Sequence, residues 1–262
     1  CNQCELDRSG RGTQCNRKKE MPKRSSLDGN ILGGGLSEYL VIPAWQIIRM
    51  PHDVDMRHAA LTEPLACCIH SIRKARLKFG DTVVIIGMGI MGYFHVKLAQ
   101  MCGARIIVSE TDEEKRKTAI REGAAYAFDP RQCDVGEEIR RLTDGLGADA
   151  VINTIPFKEV WQQAIDMLAP YGRLIAYSSQ NSKEPIGVDF GMVHSREIEF
   201  IGTLNPTIED NQMAVKLIGY QMIDMEKVID REFSFAQGKE AFDYACKPGV
   251  YRVMINYGKE DN

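Results

Sequence analysis

The sequence predicts an α/β chain built on a doubly wound parallel sheet. Apolar, β-branched runs recur at 82–86, 105–109, 150–153 and 173–177, with helical patterns at 91–101, 112–122 and 160–168 between them. Strands spaced by helices give βαβ units, and the crossover rule winds them right-handed around one sheet. A glycine cluster at the end of the first run adds a third indication.

Taken in order, residues 1–35 are polar and rich in Arg, Lys, Ser and Gly, ending in Gly33-Gly34-Gly35, which describes a loop. The segment from Leu36 to Pro43 predicts a short strand that the proline ends, a piece of a β domain. Residues 59–75 predict a helix, because Leu61, Leu65, Cys68, Ile69 and Ile72 recur near a helical period. At the carboxyl end a strand near 200–203, a helix at 208–219 and a segment at 235–246 follow. The strand near 200–203 is expected at an edge, where it could pair with a second subunit as a homodimer or homotetramer.

Composition narrows the function classes. With 262 residues, 44% hydrophobic and 26% charged, the chain suits one large domain or one domain plus part of another. No apolar run approaches the ~18 residues of a membrane span, and no secretory signal is visible, so the cell interior is expected. A net charge of -3 gives no long-range attraction for nucleic acid. Three cysteines cluster at the amino end, which favours metal binding, whereas Cys67, Cys68, Cys102, Cys133 and Cys246 are expected as packing residues.

The cofactor motif is Gly87-Met88-Gly89-Ile90-Met91-Gly92, directly after the first strand and opening a helix. Its first glycine permits a tight turn, its second admits a pyrophosphate and its third lets the helix pack on the strand. The N–H groups and dipole at that helix start favour phosphate charge. Glu110, at the end of the second strand, stands where a ribose-binding carboxylate is expected and would repel a 2′-phosphate, so NAD is the predicted cofactor. Thr111-Asp112-Glu113-Glu114 after it predicts a capping box. The expected unit is thus a Rossmann-type sheet.

The opening Cys1-Asn2-Gln3-Cys4-Glu5-Leu6-Asp7, followed by Cys15, supplies thiolates and a carboxylate suited to tetrahedral zinc. This loop resembles the structural zinc lobe of the zinc-type medium-chain dehydrogenases, with Asp7 where the family has its third cysteine. That departure leaves two readings open, an oxygen-ligated zinc site at Cys1, Cys4, Asp7 and Cys15 or a metal-free loop. The resemblance continues through Gly34-Gly35-Leu36-Ser37-Glu38-Tyr39, Thr62-Glu63-Pro64-Leu65-Ala66, Gly147-Ala148-Asp149-Ala150 and Gly172-Arg173-Leu174-Ile175. The Glu-Pro-Leu form is similar to the sorbitol, polyol and threonine dehydrogenase branches.

That resemblance implies hydride transfer between a secondary alcohol or polyol and NAD, with Glu63 at or beside a catalytic zinc. It also implies that Lys115 contacts the adenosine ribose and that Arg252 reaches the pyrophosphate, while Asn153-Thr154-Ile155-Pro156 departs from the usual glycine-containing turn. The expected layout is a partial GroES-like substrate domain at 1–58, the NAD-binding domain at 59–220 and a return to the substrate domain at 221–262. The family's other catalytic zinc ligands precede the lobe, and His52, His58, His70, His95 and His194 are expected as packing or surface residues, so the chain is read as a truncation inactive by itself. The competing readings are a non-catalytic nucleotide-binding protein and a zinc-free quinone-type reductase.

Overall fold

The computed structural model describes residues 35–258, apart from 37, 38 and 43. The chain forms two compact units, one of residues 67–204 and one that joins 1–66 to 205–262. The expected strand at 36–43 and the zinc lobe at Cys1, Cys4, Asp7 and Cys15 fall wholly or partly outside the described residues.

In chain order a 3-10 turn at Ala44–Gln46 comes first among the described elements, followed by a short helix α1 (Met56–Ala59) and a long helix α2 (Thr62–Ala75). The helix expected from residue 59 thus starts at Thr62, whose hydroxyl donates to the Ala59 carbonyl at 2.6 Å. Six strands follow: β1 (Thr82–Ile86), β2 (Arg105–Ser109), β3 (Tyr126–Phe128), β4 (Ala148–Asn153), β5 (Leu168–Ala176) and β6 (Glu199–Gly202). The helices between them are α3 (Ile90–Met101), α4 (Glu113–Arg121), α5 (Val135–Leu142), α6 (Lys158–Asp166) and α7 (Phe190–Arg196). The strands lie in the order β3-β2-β1-β4-β5-β6, every pairing parallel.

This order reverses direction between β1 and β4, which opens a crevice at the carboxyl ends of the central strands. Strand alternation explains why β1 is buried throughout. Val84 and Ile86 join the side chains of α5 and α6 in one core cluster. Ile85, on the opposite face, lies 3.9 Å from where a Cβ on Gly92 of α3 would be. A strand covered on both faces needs no polar alternation, so its sequence is continuously apolar. β6 ends the sheet, and its Phe200 is exposed.

The predicted capping box at 111–114 is corrected. Asp112 is the N-cap of α4, and its carboxylate accepts the Lys115 backbone N–H at 3.0 Å. A carboxylate one residue later in the chain reaches the first-turn donor better than the Thr111 hydroxyl, whose proton goes to Glu110 instead.

In the second unit the described residues contain α8 (Ile208–Gly219), β7 (Arg231–Ser234), α9 (Gly238–Ala245) and β8 (Val253–Asn256). β7 and β8 pair in parallel as a separate two-stranded sheet, part of a reduced GroES-like substrate domain. Phe233 of β7 is buried there, its ring 5.8 Å from that of Tyr244 and under the Arg231 guanidinium at 4.7 Å. Among the described residues no helix is long and apolar enough to cross a membrane.

Candidate cofactor site

The site grows out of the turn that follows β1. Gly87 has φ +91, a conformation in which a side chain is strained, and a Cβ there would fall 2.6 Å from Thr154 Oγ1 and 2.7 Å from Ile155 Cδ1. The Asn153-Thr154-Ile155-Pro156 segment therefore leans directly on the glycine turn. Gly92 faces a harder limit, since its Cβ would lie 2.0 Å from the Gly87 carbonyl oxygen. Gly89 is different: a Cβ there would meet nothing within 4 Å. Its lack of a side chain leaves open space above the turn.

Gly89 is also the N-cap of α3 and offers no side-chain cap. The first bond of the helix runs from Tyr93 N–H to the Gly89 carbonyl at 2.9 Å. The N–H groups of Ile90, Met91 and Gly92 ahead of it thus have no acceptor within the helix. A helix start of this kind attracts a phosphate through both its free donors and its dipole.

Glu110 closes the other side. One carboxylate oxygen accepts the Met88 N–H at 2.6 Å, and the second accepts the Asp112 N–H at 2.9 Å and the Thr111 hydroxyl at 3.2 Å. Lys115 is half-buried in the first turn of α4, four residues beyond Thr111. The structure thus brings Gly87, Gly89, Ile90, Met91, Gly92, Glu110 and Lys115 into one unit, 67–204. Glu63 and Arg252 belong to the other unit. Glu63 is exposed in the first turn of α2, and Arg252 precedes β8 with its N–H on Asp230 at 3.0 Å and its Nε buried without an acceptor among the described residues.

Sequence reasoning missed the support behind Glu110. Asp129, buried just beyond β3, accepts from Arg131 at 2.7 Å and from Arg116 at 3.2 Å. Both guanidiniums also donate to the Thr111 carbonyl, at 2.5 and 2.7 Å. The Arg131 guanidinium beside Asp129 holds its carboxyl well below the usual carboxylate range. No sequence signal marked Asp129-Pro130-Arg131, because the three-residue strand before it carries no period. A second omission is Asn153 at the end of β4: it is fully buried, its Oδ1 accepts the Ile155 N–H at 2.9 Å, and its Nδ2 finds no acceptor among the described residues.

Metal ligation has a narrower basis. Among the described residues one group of potential ligands converges, Asp55, His58 and Glu226, with donor atoms within 4.8 Å of one another. The Arg57 guanidinium sits on two of them, 2.6 Å from Asp55 and 2.7 Å from Glu226. One guanidinium already bridges both carboxylates and would compete with a metal ion for them, so the group forms an ion-pair clasp around His58 and an atypical metal site. Glu63 is not a member of this group.

A doubly wound sheet with a glycine turn, an open helix start and a carboxylate at the end of β2 defines a dinucleotide-binding α/β unit. The family model for zinc-binding dehydrogenases matches residues 87–219, half of the chain, and the chain belongs to that family, the zinc-type medium-chain dehydrogenases. It is 28% identical over 258 residues to a sorbitol dehydrogenase of Halalkalibacterium halodurans, covering 97% of this chain and 73% of that enzyme. Against a D-arabitol-phosphate dehydrogenase of Enterococcus avium the identity is 25% over 264 residues, covering all of this chain and 73% of that enzyme. A solved structure from Sinorhizobium meliloti, bound to NADP, superposes with a TM-score of 0.85 at 26% identity, covering 98% of this chain and 74% of that one. Family membership makes the chain part of an oxidoreductase fold lineage.

Proposed function

We propose that the chain binds NAD and serves hydride transfer between that cofactor and a secondary alcohol of the polyol or sugar-derivative class. The observation that carries the cofactor half is the Glu110 carboxylate held at 2.6 Å from the Met88 N–H on the glycine turn. Fixed there, its oxygens meet the adenosine ribose hydroxyls and its charge repels a 2′-phosphate. Gly89 leaves room for the pyrophosphate, Gly87 and Gly92 permit the turn and the close helix packing beside it, and Ile90 and Met91 supply backbone donors. The family resemblance assigns Lys115 to the ribose and Arg252 to the pyrophosphate.

The substrate half rests on the relatives, which are named for sorbitol and D-arabitol phosphate. In this reading Glu63 is a metal ligand and Cys1, Cys4, Asp7 and Cys15 form the structural lobe. The open edge of β6 supports pairing with a second subunit. The competing reading is a dinucleotide-binding protein without turnover.

Calorimetric titration of NAD and NADP into the full chain, with metal analysis of the same sample, tests the proposal. NAD is expected to bind at least about tenfold more tightly than NADP, a difference of about 1.4 kcal/mol. Equal or tighter NADP binding overturns the cofactor assignment. NADH formation with secondary alcohols and polyols by the full chain selects the dehydrogenase over the competing reading.

A further inference from the structure

His95 has no part in the reading so far. It lies on α3, fully buried, and both ring nitrogens are engaged. Nδ1 is 2.7 Å from the Met91 carbonyl oxygen, and since a carbonyl only accepts, Nδ1 carries the proton. Nε2 must then accept, and the Ser71 hydroxyl, itself fully buried, donates to it at 2.9 Å. The partners thus fix the tautomer.

The group on the receiving end is part of the phosphate-binding turn. The Met91 carbonyl and the Gly92 N–H belong to one planar peptide unit, so holding the first sets the direction of the second. Gly92 N–H is one of the three donors left open at the start of α3. The Met91 side chain is held as well: the Tyr177 hydroxyl donates to its sulfur at 3.1 Å, with Cys68 Sγ 3.8 Å away. Tyr177 in turn packs edge-on to the His95 ring, centroids 4.7 Å apart. Residues from α2 and from the segment after β5 thereby grip Met91 at both ends.

We infer that His95, braced by Ser71, is a positioning residue that orients the Met91–Gly92 peptide toward the dinucleotide pyrophosphate. This rests on the dinucleotide reading above. A donor fixed before the ligand arrives spares binding the ordering cost, and that cost falls only on ligands that carry the pyrophosphate.

The experiment compares His95→Asn, which keeps a donor near the Nδ1 position, with His95→Gln, which reaches the Nε2 position instead. Dissociation constants of the full chain for NAD, ADP-ribose and adenosine are measured, with thermal melts of each variant. His95→Gln is expected to weaken NAD and ADP-ribose by about tenfold while His95→Asn stays within about twofold, with adenosine unchanged in both. Should the Gln variant not fold, Ser71→Ala carries the test, with an expected loss of about threefold for NAD and ADP-ribose and none for adenosine. Asn and Gln variants that bind NAD alike, an adenosine loss equal to that of NAD, or an unaffected Ser71→Ala overturns the inference while leaving the dinucleotide reading intact. A wild-type chain that binds neither NAD nor ADP-ribose removes both.

Discussion

Glu110 and Met88 are joined by a 2.6 Å hydrogen bond that ties the carboxyl end of β2 to the turn after β1. Met88 is fully buried, so water cannot replace the acceptor if the carboxylate is removed. Glu110→Ala therefore loses the ribose acceptor and also orphans a donor in the turn. NAD affinity is expected to fall roughly 10- to 100-fold, about 1.4 to 2.8 kcal/mol, with NADP affinity unchanged or improved. Calorimetry with both nucleotides checks this, and an unaltered NAD affinity would exclude Glu110 from the ribose site.

The glycines of the turn have two different reasons to be glycine, and two substitutions separate them. A Cβ on Gly92 would lie 2.0 Å from Gly87 O and 2.9 Å from its carbonyl carbon, so backbone has to move. Gly92→Ala is expected to cost about 1–3 kcal/mol of stability as overpacking, and to weaken NAD binding by shifting α3. Gly89 has φ −70 and empty space where its Cβ would be. Gly89→Ala is expected to leave stability within about 0.5 kcal/mol and to weaken NAD by blocking the ligand's approach. Thermal melts without and with NAD distinguish the two; a destabilised Gly89→Ala would mean that the protein, and not the ligand, requires this glycine.

Strands buried on both faces were the most legible part of the fold. β1 and β2 have the bounds their apolar runs predict, and Thr207 caps α8 in a reciprocal bond with Asp210 at the position where the helical pattern begins. β3 was missed because three residues carry no period, and α5 because five of its eight residues are charged or glycine while only Val135, Gly136 and Ile139 are buried. The β7–β8 pair was illegible for another reason: parallel partners need a long connection, and the register that joins Arg231 to Val253 cannot be read from either segment alone. At the site, the glycines and Glu110 were legible because their spacing along one βαβ unit is fixed. The Asp129 clamp and the His95–Ser71 contact were not, since each joins residues brought together only by packing between elements.

Arg173 on β5 gathers four acceptors within the sheet unit. It is buried, donates to the Arg76 carbonyl at 2.8 Å and to the Asp149 carbonyl at 3.2 Å, reaches the Ala75 carbonyl, and pairs with Asp81 at 2.7 Å. Its guanidinium thus closes the carboxyl end of α2 against the loop before β1. Arg173→Ala leaves the little-exposed Asp81 carboxylate without its cation, with only the Lys78 N–H at 3.1 Å still donating to it, and takes the guanidinium away from these carbonyls. The expected loss is about 3–5 kcal/mol, read from urea denaturation of the full chain. A loss below about 1 kcal/mol, the range of an exposed ion pair, would show that water substitutes for the guanidinium.

His95 also makes stability depend on pH in a window of its own. Burial lowers its pKa from 6.5 to about 4, the hydrogen bond with Met91 opposing that shift only in part. Between those values the unfolded chain binds a proton that the folded chain does not. Stability from this group is therefore intact above pH 6.5 and falls as pH drops toward 4, where the folded ring also begins to protonate. Each pH unit in the window costs about 1.4 kcal/mol, for a total of about 3 kcal/mol. Other groups of the chain also titrate on acidification, so the quantity to measure is the difference between wild type and His95→Asn. Urea unfolding of both at pH 7, 6, 5 and 4.5, in steps of about one unit or less, should give curves whose separation shifts in favour of the Asn variant as the pH falls. A separation constant across the window would mean that the folded protein accommodates the charged imidazole, and that the contact with the Met91 carbonyl outweighs burial.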